Sequence, residues 1–183
     1  GPAYYAVTRV LASRFAAGTA YVTRNGRRFD EMTPVVLKTT DFGATWTSIA
    51  GNLADRAIDV IVEDIADPDI LYVGSHKGVH VSVDGGRRWV ALKGNMPTVP
   101  VTDMLIHPRE RDLVVATYGR GLYVINTLWL ADVKKGAFDG AAHFFPVQPR
   151  PVPQPGAIGN FEFYGDRQLI VPNDDGLNFD YYL

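Results

Sequence analysis

TTDFGATW at residues 39–46 and SVDGGRRW at residues 82–89 share the pattern Ser/Thr-x-Asp-x-Gly-x-x-Trp. We call these two stretches the first and the second aspartate turn. The carboxylate of Asp41 or Asp84 can accept hydrogen bonds from backbone N–H groups of its own turn. Gly43 and Gly86 can adopt a positive φ that other residues resist. The pattern therefore predicts two tight, rigid hairpin turns.

The other fixed positions of the pattern have equally local reasons. A Ser or Thr hydroxyl can close the turn from the opposite side. A Trp at the start of the next strand is expected to bury a large flat surface beside the sheet. We therefore assign a structural role to the eight positions Thr39, Asp41, Gly43, Trp46, Ser82, Asp84, Gly86 and Trp89.

The repeat extends beyond the two turns. The two aspartates lie 43 residues apart, and the same shift relates residues 74–81 to residues 117–124. A period of this length is typical of the four-stranded blades of a β-propeller. Short runs rich in Val, Ile, Tyr and Thr, separated by Gly, Pro, Asn and Asp, predict strands at 5–12, 19–23, 35–39, 45–49, 58–63, 70–74, 78–82, 88–92, 101–107, 113–117 and 121–126.

The predicted fold class is all-β, a partial β-propeller followed by a Pro-rich linker and a C-terminal β tail. About three four-stranded blades occupy residues 1–145, with approximate bounds 4–50, 57–93 and 101–147. The third blade lacks its own aspartate turn, so residues 143–147 are expected to supply its fourth strand. Prolines 146, 149, 151, 153 and 155 predict an extended linker over residues 146–160. Residues 161–183 are expected to form a tail or the first strand of a following domain.

Three blades fall short of a closed ring, because propellers typically have four to eight. An open arc would leave edge strands and blade faces unprotected. The rest of the propeller, in a longer or nicked protein, or another copy of the chain is therefore expected to complete the ring.

Composition narrows the possible functions. The chain has 183 residues, a net charge of −2 and no cysteine. The charge argues against general nucleic-acid binding, and the lack of thiols excludes disulfides and thiolate metal sites. No apolar run approaches the roughly 18 residues of a membrane span. His76 and His80 are four residues apart, but a loop and a strand do not present them as a metal pair. No metal and no cofactor are expected.

The chain resembles the BNR/Asp-box repeat β-propellers, the superfamily that includes sialidases and the sortilin/Vps10 domain. The resemblance is closest to bacterial exported proteins described as glycosyl hydrolases with BNR repeats. Residues 37–46, 63–74 and 116–124 carry it, and residues 172–183 are similar to the first strand of the sandwich-like domain that follows such propellers. The resemblance implies a secreted, periplasmic or cell-surface protein.

Strand alternation predicts where ligands would bind. The aspartate turns join third to fourth strands, so they lie on one face of the arc. Loops between second and third strands lie on the other face, which we call the loop face. It collects basic and aromatic side chains suited to carboxylate- or sugar-bearing ligands, namely Arg24, Arg27, Arg28, His76, Lys77, Tyr118 and Arg120. The competing interpretation is a solvated basic rim.

Catalytic candidates are few. Glycosidase chemistry needs two carboxylates at a defined separation, and only Asp59 and Asp103, in the innermost strands of the second and third blades, could line a central channel. Hydrogen bonding at a strand start is the alternative role for both. The catalytic residues of sialidases have no matching motif here.

The leading hypothesis is a non-catalytic binding or scaffold segment of an exported propeller, recognising carbohydrate or peptide. One alternative is part of a glycoside hydrolase, of sialidase or glucanase type, whose active site needs additional blades. The other is a protein-binding propeller like sortilin.

Overall fold

The computed structural model describes residues 2–54, 56–147 and 180–183. The chain divides into two compact units, Gly1–Lys135 and Gly136–Leu183. Antiparallel β-structure dominates the described residues, with one short α-helix among them. Within the described ranges, neither helical segment has the length and hydrophobicity needed to cross a membrane.

Three antiparallel sheets form the first unit, and each follows the chain in simple up-and-down order. In the first sheet, a 3-10 turn at Arg27–Phe29 separates the second strand from the third. After the third sheet, the chain forms helix α1 (Leu130–Lys134). The first sheet contains β1 (Ala6–Ala12), β2 (Ala20–Gly26), β3 (Glu31–Thr39) and β4 (Thr47–Ser48); the second contains β5 (Ile58–Glu63), β6 (Leu71–Ser75), β7 (Gly78–Ser82) and β8 (Val90–Ala91); the third contains β9 (Val101–Ile106), β10 (Asp112–Thr117) and β11 (Leu122–Asn126).

This order confirms the predicted all-β partial propeller. The predicted bounds of β5 and β7 agree with the structure, and those of the other nine strands differ by a few residues at one or both ends. The largest differences occur at β2 and β3, which extend to the 3-10 turn that the sequence did not indicate.

The third sheet differs from the prediction that residues 143–147 supply its fourth strand. In the described residues it has three strands, in the order β11-β10-β9. Residues His143–Phe144 form β12, which pairs with β13 (Tyr181–Tyr182) in the second unit. The predicted linker and most of the predicted tail lie outside the described residues.

The second sheet has an apolar core on both of its faces. All five residues of β6 and all five of β7 are buried. Because side chains alternate along a strand, Leu71 and Val73 pack toward the first sheet, with Tyr21 and Val36. Tyr72 lies on the opposite face, in a cluster that contains apolar residues of β9 and β10. The second sheet is therefore the centre of the unit.

Glu63, the last residue of β5, connects this central sheet to the first sheet. Its buried carboxylate accepts hydrogen bonds from the Ser13 hydroxyl at 2.8 and 3.0 Å, the Arg14 backbone N–H at 3.0 Å and the Tyr21 hydroxyl at 2.9 Å. Burial, followed by the bond to Glu63, raises the pKa of the Tyr21 hydroxyl, which remains the donor. A buried carboxylate is tolerated because each oxygen has donors.

Asp64 makes the equivalent connection to the third sheet. Its side chain is almost fully buried, and its Oδ1 forms an ion pair with Arg111 Nη2 at 3.0 Å. Backbone N–H groups of Ala66 and Asp67 donate to the same oxygen at 2.8 and 3.1 Å. Arg111 precedes β10 with φ 57, and its carbonyl accepts a bond from the Thr127 hydroxyl at 2.6 Å. Two adjacent acids therefore hold the central sheet to both of its neighbours.

We expect Glu63→Gln to lower the free energy of unfolding by about 1–3 kcal/mol, because the amide presents a donor to groups that are themselves donors. Urea denaturation measures the change. Glu110→Gln, which alters an exposed glutamate, is the matched control and should change stability by less than about 0.5 kcal/mol. Equal effects of the two substitutions would show that the buried bonds of Glu63 do not stabilise the fold.

Candidate functional site

The first aspartate turn is closed by its own side chains. Thr39 Oγ1 donates to Asp41 Oδ1 at 2.7 Å and accepts from the Gly43 backbone N–H at 2.9 Å. Asp41 also accepts from the backbone N–H and the hydroxyl of Thr45, at 2.9 and 2.6 Å. These bonds lower the pKa of the Asp41 carboxyl to about 2, with the Thr45 hydroxyl as the largest cause.

The second aspartate turn repeats this geometry. Ser82 Oγ donates to Asp84 Oδ1 at 2.7 Å and accepts from the Gly86 N–H at 2.9 Å. Burial would raise the pKa of Asp84, but the backbone N–H groups of Arg88 and Arg87 and the Ser82 hydroxyl lower it overall. Gly43 and Gly86 adopt φ 89 and 92. In both turns the hydroxyl and carboxylate side chains are therefore used for folding.

The two tryptophans of these turns differ. Trp89 is 2 % exposed and packs between the first and second sheets. Its Nε1 donates to the Ile49 carbonyl at 2.8 Å. The Asn52 side chain accepts a hydrogen bond from the Trp89 backbone N–H and donates one to the Trp89 carbonyl. Trp46 is 41 % exposed and donates to the Gly43 carbonyl inside its own turn. The expectation that both tryptophans are buried is wrong for Trp46. Trp89 is covered by Ile49 and Asn52, which follow the first sheet, whereas no sheet precedes the first one in the described residues to cover Trp46 in the same way.

Asp59 on β5 is mostly buried against the first sheet. Its carboxylate accepts Asn25 Nδ2 at 2.7 Å and Arg27 Nη1 at 3.3 Å. Burial raises the pKa of this carboxyl, and Arg27 and Asn25 oppose that rise. Asp59 therefore links the sheets instead of lying open to a channel.

Asp103 on β9 is more exposed, and it is also paired. Its Oδ1 forms an ion pair with Arg9 of β1 and accepts the Met104 backbone N–H at 2.8 Å. The two catalytic candidates thus have different arginine partners, both from the first sheet. Neither carboxylate shares a proton or a hydrogen-bond partner with the other.

The predicted loop-face residues fall into three groups. Arg24 is bound by the carbonyls of Pro2 and Tyr5, at 2.9 and 3.1 Å, so its role is structural. Arg27 and His76 lie around Asp59, and the pKa of His76 is lowered by burial and by the charges of Lys77 and Arg27. The remaining candidates are exposed, with no ion pair in the described part of the chain: Arg28, Lys77, Tyr118 and Arg120.

A cleft of about 400 Å³ lies at the loop-face end of the second sheet. Arg56, Lys77 and Lys93 contribute its charges, together with His80 on β7. His80 is buried, and burial followed by the Arg56 charge lowers its pKa to about 4. Sequence reasoning placed Lys77 on this face but missed Arg56, His80 and Lys93, because they come from a connection, a strand and a second connection with no common motif.

No cluster of three or more potential metal ligands occurs in residues 2–54, 56–147 and 180–183. The loop face presents the positive charges of Arg28, Lys77 and Arg120, together with the phenol ring of Tyr118.

Solved structures share the fold of this chain. It superimposes on an ancestral GH74 enzyme with a TM-score of 0.51 and 18% identity, covering 62% of this chain and 14% of that one. The Niastella koreensis GH74 enzyme gives a TM-score of 0.53 and 17% identity, covering 66% of this chain and 21% of that one. The chain thus spans about a fifth or less of these β-propeller proteins. No family model and no curated protein matches the chain.

The low pKa of Asp41 predicts a specific loss of stability in acid. A carboxyl whose pKa falls from 3.8 to about 2 on folding stabilises the protein above its unfolded value, and that contribution disappears as pH falls from about 4 toward 2. The stability difference between the wild type and Asp41→Asn, measured by urea denaturation, should therefore shrink across this window. Asp30→Asn is the control and should track the wild type. A difference independent of pH would contradict the role of the ionised turn.

Proposed function

We propose that this chain is a non-catalytic binding segment of an exported Asp-box propeller protein, and that its loop face recognises carbohydrate or peptide. The observation that carries the proposal is the contrast between the acids and the cations. Asp59 and Asp103 are engaged by Arg27 and Arg9, whereas Lys77 and Arg120 are exposed. A surface of exposed cations with an aromatic side chain, Tyr118, favours ligand binding over acid–base chemistry.

The geometry of the two aspartate turns supports kinship with the Asp-box propellers. In both turns a hydroxyl donates to the aspartate and accepts a glycine N–H four residues after it. This repeated arrangement explains why the pattern recurs at a fixed period, because each turn must hold the last two strands of a blade together.

A glycoside hydrolase is the second candidate, because the structures that share this fold include GH74 enzymes. In this alternative the active site includes blades beyond these three. Asp103 would be the acid contributed by this chain, since it is the more exposed of the two candidates.

We also propose that a further blade packs on the outer face of the third sheet. Leu122 and Val124 of β11 are 70 % and 64 % exposed. Their equivalents one repeat earlier, Val79 and Val81 of β7, are 2 % and 6 % exposed because the third sheet belongs to the same cluster. Trp46 is also exposed, whereas its equivalent Trp89 is buried between two sheets, so a blade is expected to pack before the first sheet as well. Either a longer protein or another copy of the chain would supply the missing blade.

A panel of immobilised glycans and peptides tests the binding role. Arg120→Ala should lower the affinity for the bound ligand by roughly threefold to tenfold without changing the stability of the protein, as expected for the loss of one exposed charge contact. Arg109→Ala removes the same charge from the β9–β10 turn and should have no effect. If a bound glycan is hydrolysed, and Asp103→Asn abolishes that hydrolysis, the glycoside hydrolase alternative would be established instead. Equal effects of Arg120→Ala and Arg109→Ala would contradict the loop-face assignment.

Light scattering coupled to size exclusion, over a range of concentrations, tests the open face. We expect self-association above the 20.1 kDa monomer, because exposed apolar faces of this kind associate. Leu122→Lys with Val124→Lys should restore the monomer and leave the unfolding free energy unchanged. Val90→Lys on β8 is the control and should change neither the association nor the unfolding free energy. A monomer that these two substitutions destabilise would contradict the proposal, since the face would then be covered within the chain.

A further inference from the structure

The cleft on the second sheet has an unusual balance of charge. Arg56, Lys77 and Lys93 line it, and none of its lining residues among the described ones is an aspartate or glutamate. Arg56 uses Nη1 to donate to the Ala54 carbonyl at 2.9 Å, and its buried Nε has no hydrogen-bond partner among the described residues. In the described part of the chain, three cations thus face one cleft that has no acid in its lining.

Four other cations of the same unit have acidic partners. Arg9, Arg27, Arg111 and Lys134 each pair with a carboxylate. In the described ranges, no ion pair reaches the three cations of the cleft. Their mutual repulsion disfavours this arrangement unless an anion offsets it. The cleft therefore has the electrostatics of an anion site.

His80 provides an independent indication. Its ring is buried in the wall of the cleft, and its Nδ1 has no hydrogen-bond partner in residues 2–54, 56–147 and 180–183. Buried polar atoms without a partner are uncommon in folded proteins. With its pKa lowered to about 4 by burial and by Arg56, His80 is neutral near pH 7. An anion held beside Arg56 would oppose that shift, because a nearby negative charge favours the imidazolium.

The uncharged part of the cleft limits the kind of anion. Val79, Leu92, Met96 and Pro97 contribute apolar surface next to the cations. A cleft of about 400 Å³ is large enough for a small organic molecule. A planar carboxylate matches the guanidinium of Arg56 in shape and charge. These features favour an organic acid over a bare inorganic ion as the occupant.

We propose that this cleft binds the carboxylate of an organic ligand, with Arg56, Lys77 and Lys93 as its charge partners. The carboxylate could belong to an acidic sugar or to the C-terminus of a peptide, which are the two ligand classes of the proposed function on which this inference rests. It goes beyond that function by naming the chemical group that is recognised and the cleft that recognises it.

Ligand titration followed by NMR tests the proposal, with the ring signals of His80 as the reporter. D-glucuronic acid is compared with D-glucose, and N-acetyl-L-alanine with its amide, so that each acid has a neutral match. We expect the acids to bind and the neutral molecules not to bind, and the bound acid to raise the pKa of His80. The acid with the higher affinity identifies the source of the carboxylate.

Two double variants separate the cleft from general charge effects. Lys77→Ala with Lys93→Ala should weaken acid binding by roughly threefold to tenfold. Arg87→Ala with Arg88→Ala makes the same change in net charge on the second aspartate turn, at the other end of the same sheet, and should leave binding unchanged. Equal weakening by both double variants would overturn the proposal, as would no acid binding up to about 20 mM.

The outcomes also separate this inference from the function on which it rests. Neutral glycans or peptides that bind in an Arg120-dependent way, with no role for Lys77 or Lys93, would leave the binding function standing and overturn the carboxylate site. Acid binding at the cleft with no ligand at Arg120 would support the carboxylate site and contradict the wider loop-face assignment.

Discussion

Two adjacent buried carboxylates, Glu63 and Asp64, connect the central sheet to the sheets on either side of it. Glu63 accepts hydrogen bonds from Ser13, Arg14 and Tyr21, and Asp64 pairs with Arg111. A buried charge is costly unless it is fully hydrogen-bonded. Each flanking sheet must therefore lie where its donors reach the correct acid, so this pair of residues constrains the relative position of all three sheets.

The same constraint explains the division of roles among the charged residues. Acids in the inner strands form ion pairs that hold the sheets together, Asp59 with Arg27 and Asp103 with Arg9. The aspartates of the two turns form hydrogen bonds within their own turns. Among the described residues, the cations at the loop-face end of the second and third sheets have no carboxylate partner.

Sequence reasoning could predict the strands and the turns because their determinants are local. Each aspartate turn is satisfied by residues within eight positions, and the strands follow from short apolar runs between turn residues. The roles of Glu63 and Asp64 could not be predicted, because their partners lie far along the chain on other sheets. For the same reason the sequence predicted that Asp59 lines a channel, whereas the structure places Asn25 and Arg27 beside it.

The repeat itself also had limits as a guide. It indicated equivalent roles for Trp46 and Trp89, yet only Trp89 has a preceding sheet to pack against. It indicated a fourth strand for the third sheet, yet residues 143–144 pair with residues 181–182. A position in a repeat predicts the local conformation of a residue, whereas its burial depends on whether a neighbouring blade is present. The repeat did not reveal the cleft around His80, because Arg56 and Lys93 lie outside the repeated stretch 74–81 and meet Lys77 and His80 only after folding.

Hydrogen–deuterium exchange of the chain, read by mass spectrometry, tests the central role of the Glu63–Asp64 connection most directly. If these acids bind the three sheets into one cooperative unit, amides of β5, β6 and β7 should exchange slowest, and the first and third sheets should open together with them under mild denaturant. Glu63→Gln should release the first sheet alone, while Asp64→Asn should release the third. Independent opening of the flanking sheets in the unsubstituted protein would contradict the account.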